Sequence, residues 1–341
     1  MATVAQNAPG TPSRFQVWRN RTATTRTAWL YLLPAFLVMG IITFYPLIYQ
    51  VWMSTTDYSI KNLRADAPPP NSLGLQNYVQ VFNGKLPVAI ANFSFWNVLG
   101  FNLVWTFTNV PFHVVIGVLI AVLLNVKGLW FKRFYRAIYI LPIVIPSLVV
   151  AVVWRNMFDP DFGAINLGLA SVGKIFGIAP EVFKIRWIDQ VDYPISFIPL
   201  TLSYFALLIT NIWLGWPFMT IVATGALQSI PGDLYEAASI DGASPRQQFF
   251  GITVPLLRPA MIPAAVYGIV ATFNLFNLIY LLSGGGPLRR TEILVTTSYR
   301  LVNEQRLYGI AAAFSVIIFF VLLTLTLLTN RITQATERYD V

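Results

Sequence analysis

The chain has 341 residues, no cysteine, a single histidine and only 11% charged residues. Without cysteine there can be no disulfides, no thiolate nucleophile and no cysteine-held metal. The single histidine, His113, falls in an apolar run. It cannot build a metal site or a catalytic triad by itself, and its ordinary role there is a polar contact with a neighbouring helix, with a proton relay as the alternative. Charge is also missing where ion-driven chemistry would need it. The apolar runs contain no Asp, Glu or Lys, and Arg155 stands only at the end of the third. A carrier that couples to ions or protons needs ionisable groups at membrane depth.

A nucleotide engine is absent too. GLASVGKI, residues 168 to 175, approaches a phosphate-binding loop, but Ile175 replaces the Ser or Thr that would hold magnesium. DPDFG, residues 159 to 163, lacks the spacing of a calcium loop and reads as a turn. No catalytic or metal site is therefore expected, and no cofactor bound by this chain.

Apolar residues are abundant. They make up 56% of the sequence and the mean hydropathy is +0.63. Runs long enough for the ~20 residues that cross a bilayer core lie near 28–52, 97–125, 137–157, 200–229, 260–282 and 309–330. The fold class expected is all-α: an integral membrane bundle of six helices forming one domain over 28–341, after a basic tail over 1–27. The first run lacks a small-residue cleavage site and reads as an anchor rather than a removable signal.

The net charge of +9 is spread through the loops, which favours anionic membrane lipid over nucleic acid as counter-charge. Arg14, Arg19, Arg21 and Arg26 in the tail, and Lys127, Lys132, Arg133 and Arg136 between the second and third runs, place those segments in the cytoplasm. Alternation then puts both termini and the 230–259 connection inside as well.

That connection, around EAASIDGASPRQQFFGITVP, is polar and patterned for two short helices. Pro231 and Gly232 end the fourth run, and Asp233 with Glu236 forms a start signal for a helix to about residue 240. Gly242 is placed to stop it in a left-handed conformation. Ser244, Pro245 and Gln247 repeat the start signal for a helix to about Thr253, which Pro255 closes. Ala237 and Ala238 allow close approach, while Tyr235, Ile240, Phe249 and Phe250 offer apolar anchors for a partner. From the residues alone, docking and simple rest on the membrane interface remain equal alternatives.

The EAA triplet, Gly242, Ile252 and the Val254-Pro255 pair, at their spacing, resemble the EAA loop of ABC importer membrane subunits, with Val where Leu is usual. GVLIAVLLNVKGLWFKRFYRAIYILPIVIPSLVVAVVW, FDPDFGAIN, WPFMTIVATGALQSIPGDLYEAASIDGAS and NLIYLLSGGGP are similar to the carbohydrate-importer branch of maltose and glycerol-phosphate type. The resemblance covers about residue 28 to the end.

It implies that the 231–255 loop is a coupling helix, with Tyr235, Glu236, Ala237, Ala238, Ile240, Asp241, Gly242, Phe249 and Phe250 against a cytoplasmic ATPase. The partners implied are a second permease subunit, two ATPase subunits carrying ATP and magnesium, an extracytoplasmic solute-binding protein and a sugar. It also implies a multi-pass protein of the cell membrane.

Transport sites lie near the midplane, where helices are interrupted by Gly or Pro. The fourth run is expected to break at Gly215-Trp216-Pro217-Phe218, at the same depth as Asn274 in the fifth. The resemblance places Leu214, Gly215, Phe218 and Asn274 at the sugar, with Phe273, Asn277, Phe276 and Tyr280 on the same helix as weaker candidates. Asn274 and Asn277 could instead hydrogen-bond between helices as packing contacts. The absence of charge at that depth favours a neutral di- or oligosaccharide. A self-sufficient carrier or channel with the hairpin as gate is the alternative, and a membrane-embedded enzyme a weaker third.

Overall fold

The computed structural model describes residues 14–64, 66–87, 93–126 and 128–333. They are helical apart from loops and one isolated bridge between Thr56 and Ser72. Five helices are long and apolar enough to cross a bilayer: Thr25–Met53, Phe95–Leu124, Leu202–Gln228, Pro245–Phe273 and Tyr308–Arg331. A sixth crossing would be a bent pair, Lys132–Val144 and Ser147–Met157. All six expected runs are thus helical.

The chain divides into two compact units, Met1–Met53 and Ser54–Val341. In the first, Arg14–Met39 passes through a wide π-helical turn at Gly40–Phe44 into Tyr45–Met53. The basic tail expected over 1–27 lies outside the described residues as far as residue 13, and from Arg14 on it is already helix.

In the second unit, Phe95–Leu124 and Leu202–Gln228 pack along their length, and Pro245–Phe273 lies against both. Small residues permit this approach. Gly117 meets Met219, and Gly268 faces the Met219 methyl. Buried Ala121, Met219, Ala223, Leu257 and Met261 form the apolar cluster nearest the hairpin. At the opposite end a short helix, Leu294–Asn303, packs on Tyr308–Thr333 through Leu294, Leu301, Ile310 and Phe314.

Four expectations about helix breaks are corrected. Leu202–Gln228 is continuous through Gly215-Trp216-Pro217-Phe218. Pro217 forfeits one backbone hydrogen bond, and packing against the neighbouring helix outweighs that loss. The third run does break: its halves meet at 97°. Pro146 is responsible, because the residue before proline is pushed out of the α region, and Ile145 is extended at φ −78°, ψ 125°.

The fifth run breaks as well. Pro245–Phe273 ends at Asn274, and Phe276–Leu278 with a π-helical turn at Ile279–Ser283 follows. Finally, Pro255 does not close the second hairpin helix. A π-helical turn at Phe249–Thr253, in which the Val254 N–H reaches the Phe249 carbonyl, shifts the register, and the helix runs on through Pro255 to Phe273.

The break at Asn274 takes helix-end carbonyls out of the regular ladder, although the Thr272 carbonyl keeps a bond from the Leu275 N–H at 3.2 Å. They are met from Phe95–Leu124: Trp105 Nε1 donates to the Thr272 carbonyl at 3.1 Å, and Asn102 Nδ2 to the Phe273 carbonyl at 3.1 Å. Asn102 Oδ1 also accepts from the Leu294 N–H at 2.9 Å. Broken backbone at membrane depth is tolerated only when such partners exist.

Candidate functional site

Two features can carry function, the polar hairpin at one end and a small cavity among the apolar helices. In the hairpin, Gly232–Ile240 forms the first helix. The expected Asp233–Glu236 capping pair does not form: Pro231 is the N-cap, no side chain caps it, and Asp233 sits in the first turn. A carboxylate there still favours the positive end of the helix dipole.

Gly242 adopts φ +80°, the left-handed conformation expected of a stop. Ser244 and Gln247 then complete a reciprocal capping box, with Gln247 Oε1 accepting from the Ser244 N–H at 2.8 Å, and Pro245 opens the helix. Two further contacts fix one helix on the other. Gln248 Nε2 donates to Ser239 Oγ at 2.9 Å, and the Tyr235 and Thr253 hydroxyls lie 3.0 Å apart.

The result is a hydrogen-bonded corner whose outer surface sets two apolar side chains among polar ones. Ile240 is 87% exposed and Phe250 61%. Glu236, Ala237, Asp241 and Gly242 are exposed too, while Tyr235, Ala238 and Phe249 are half-buried. Tyr235, Glu236, Ser239 and Ile240 also border a cavity of about 530 Å³ that reaches Asn125 and Leu227.

The second cavity, of about 180 Å³, lies between Leu202–Gln228, Pro245–Phe273 and the bend of the third run. Leu214, Gly215 and Phe218 line it, as expected. So do His113, Ser147, Asn211, Tyr267, Thr272 and Leu275. Phe218 and Tyr267 set their rings 5.3 Å apart. His113 Nε2 donates to the Asn211 carbonyl at 2.9 Å, and its ring lies where a Cβ on Gly215 would stand. The glycine serves this close approach rather than a helix break. The Asn211 amide nitrogen is buried and has no hydrogen-bond partner.

The other sequence candidates do not line this cavity. Phe273 is fully buried in an apolar cluster with Phe314 and Leu294. Asn274 turns its amide back to the Val270 carbonyl at 3.4 Å. Asn277 is exposed and donates to Ser147 Oγ at 3.1 Å, so it joins the segment after the break to the bend of the third run. Phe276 and Tyr280 stack 5.0 Å apart beside Tyr299.

Asn211 was missed, although its signal was present. Residues 211, 215 and 218 recur at helical spacing on one face. Ser147 and Tyr267 are brought in only by packing between helices.

Residues 168 to 175 lie in the helix Ala164–Ile175, where backbone N–H groups are used internally and cannot cradle phosphate. Asp159 Oδ1 accepts from the N–H groups of Asp161 and Phe162 at 2.9 and 2.8 Å, which is a turn. Among the described residues no group of three or more His, Cys, Asp or Glu could hold a metal ion.

Residues 113–338 match the family described as binding-protein-dependent transport system inner membrane component. This chain belongs to that family. It is 32% identical over 311 residues to the galactooligosaccharides transport system permease protein GanP of Bacillus subtilis, covering 89% of this chain and 69% of that one. It is 30% identical to the trehalose/maltose transport system permease protein MalF of Thermococcus litoralis, covering 89% and 92% of the two. Its fold resembles a chain of a bacterial ABC transporter involved in the import of the acidic polysaccharide alginate, with a TM-score of 0.73 at 21% identity over 94% of this chain and 100% of that one. The matched region includes the hairpin, the cavity and every helix from His113 onward.

Proposed function

We propose that this chain is the membrane-spanning permease subunit of an ATP-driven ABC importer that takes up a neutral di- or oligosaccharide by alternating access. The observation that carries this reading is the pairing of an exposed, internally braced hairpin with a charge-free cavity in a family of transport permeases. The curated relatives are named for galactooligosaccharides, maltodextrin and trehalose/maltose.

The hairpin docks on a cytoplasmic ATPase subunit that carries ATP and magnesium. Ile240 and Phe250 supply the apolar anchors, Glu236 and Asp241 the charge, and Gly242 the turn. Both termini then face the cytoplasm. Because Pro245–Phe273 is continuous from the hairpin to the cavity wall, a push on the hairpin moves Tyr267 and Thr272 with it as a rigid lever.

The cavity provides Phe218 and Tyr267 as stacking faces and the Asn211 amide as a donor to a hydroxyl. No Asp, Glu, Lys or Arg lines it, which suits an uncharged sugar. At about 180 Å³ it falls short of the roughly 300–1,000 Å³ typical of ligand sites, so a second permease subunit completes it. An extracytoplasmic binding protein delivers the sugar.

The test is a mild-detergent pull-down of the tagged chain from its native membrane, beside a variant with residues 236–250 replaced by a Gly/Ser linker. An ATPase subunit should accompany the wild type and be lost from the variant. Recovery of the chain alone in both would remove the engine and point to a self-sufficient carrier, which flux into vesicles holding only this chain would reveal.

A further inference from the structure

At the end of the unit opposite the hairpin a cleft of about 630 Å³ runs between the start of Phe95–Leu124 and the loops around Tyr193 and Arg290. It shares no residue with the small cavity above. Its wall changes character with depth. Asn97, Tyr193, Arg289, Arg290 and Glu292 stand in the loops or the first helical turn, whereas Gly100, Phe101 and Val104 continue down the helix. Asn97 and Val104 are separated by ~10 Å along the helix axis, at ~1.5 Å per residue.

Trp96 marks the level of this cleft. It lies in the first turn, is 61% exposed and lines the mouth, and tryptophan in that setting gathers at the membrane–water boundary. The polar wall is therefore at headgroup depth and the apolar wall at acyl-chain depth. A Cβ built on Gly100 meets nothing within 4 Å, so the groove is open there. Val104, 44% exposed, continues the same face.

The charge of the polar wall is net positive. Arg289 is paired with buried Glu292 at 2.7 Å, and Glu292 is shared with Arg300 at 2.8 Å. Arg290 faces no carboxylate in these pairs. It gives one N–H to the Val191 carbonyl at 2.8 Å and lies 4.8 Å from the Tyr193 ring centroid. A guanidinium has five N–H donors and binds phosphate strongly, so most of the Arg290 fork is left for a ligand.

We infer that this cleft holds one anionic phospholipid, with its phosphate on Arg290 and an acyl chain along Gly100, Phe101 and Val104. Neither a sugar nor free phosphate would use the apolar half. The site is independent of the transported substrate.

Native mass spectrometry of the full chain with its co-purifying subunits tests this, after exchange into phosphatidylglycerol or phosphatidylcholine. One phosphatidylglycerol should be retained per chain, and Arg290→Gln should reduce that retention about fivefold. Gly100→Leu, which fills open space, should reduce retention of the lipid as well while leaving the thermal midpoint of the lipid-free protein unchanged. Equal retention by both variants and the wild type overturns the proposal. Equal retention of phosphatidylcholine removes the anionic headgroup from it. Displacement by millimolar glycerol 3-phosphate makes the cleft a phosphate site, and displacement by a neutral maltooligosaccharide makes it a sugar site; either result also overturns it.

Discussion

A buried amide nitrogen without a partner is costly, and Asn211 keeps one in the wall of the small cavity. The cost is tolerable if a ligand hydroxyl satisfies it during the cycle. Asn211→Leu removes the donor and keeps the helix. In steady-state assays of the reconstituted importer it should raise the sugar concentration for half-maximal ATP hydrolysis about tenfold, the equivalent of ~1.4 kcal/mol for a lost hydrogen bond. An unchanged value would take Asn211 out of the sugar site.

Asp57, in the loop that follows the first unit, illustrates a different use of polarity. Hydrogen bonds from Lys61 and Asn71 hold its carboxyl below the usual carboxylate range. Its folded value lies below its unfolded one, so its contribution to loop order is complete above pH ~4 and lost as pH falls through the lower, folded value. Amide exchange at Asn71, whose N–H donates to Asp57 Oδ1 at 2.7 Å, should accelerate relative to neighbouring loop amides only below pH ~4. Asp57→Asn should abolish that acceleration.

Elements carry the next level of explanation. The break after Phe273 survives because Trp105 and Asn102 reach the Thr272 and Phe273 carbonyls. Replacing Trp105 by Phe keeps most of the apolar volume and removes one donor. The Thr272 carbonyl keeps its bond from the Leu275 N–H, so the expected loss is about 0.5–1.5 kcal/mol for one hydrogen bond, seen as a lower thermal midpoint in detergent, with a larger loss when Asn102→Leu is added and the Phe273 carbonyl is left bare. A midpoint unaffected by either change would mean that water or another group satisfies those carbonyls.

The same element shows where sequence reading reached and where it failed. Apolar runs located every long helix among the described residues, because burial in lipid requires a fixed length of apolar chain. The hairpin was legible down to its capping box, since Ser244, Pro245 and Gln247 act within a few residues of one another. The breaks were less legible. Pro217 interrupts no helix while the chain turns by 97° at Pro146, and the difference lies in the partners each backbone finds. Phe273 looked available on a helical face, yet it is enclosed by Phe314 and Leu294 from distant parts of the chain.

For the whole molecule, the proposed transport cycle requires that the hairpin and the small cavity move as one. Pro245–Phe273 supplies that link, running from the capping box to the break. Gly242 sets the corner with φ +80°, a conformation that β-branched residues avoid. Gly242→Val should therefore leave ATP hydrolysis by the purified complex measurable while lowering sugar uptake into vesicles at least tenfold. Uptake and hydrolysis falling in equal proportion would contradict this lever. Such uncoupling can be seen only in the assembled importer.

By itself the sequence determined the all-α membrane bundle, the absence of Asp, Glu and Lys inside its apolar runs and the two-helix hairpin, because those follow from local composition, spacing and capping. Tertiary structure decided which helices break, which carbonyls are rescued, and that Asn211, Ser147, His113 and Tyr267 meet at one cavity. These outcomes depend on contacts between residues far apart in the chain. Asn102 and Phe273, for example, are 171 positions apart and share one hydrogen bond.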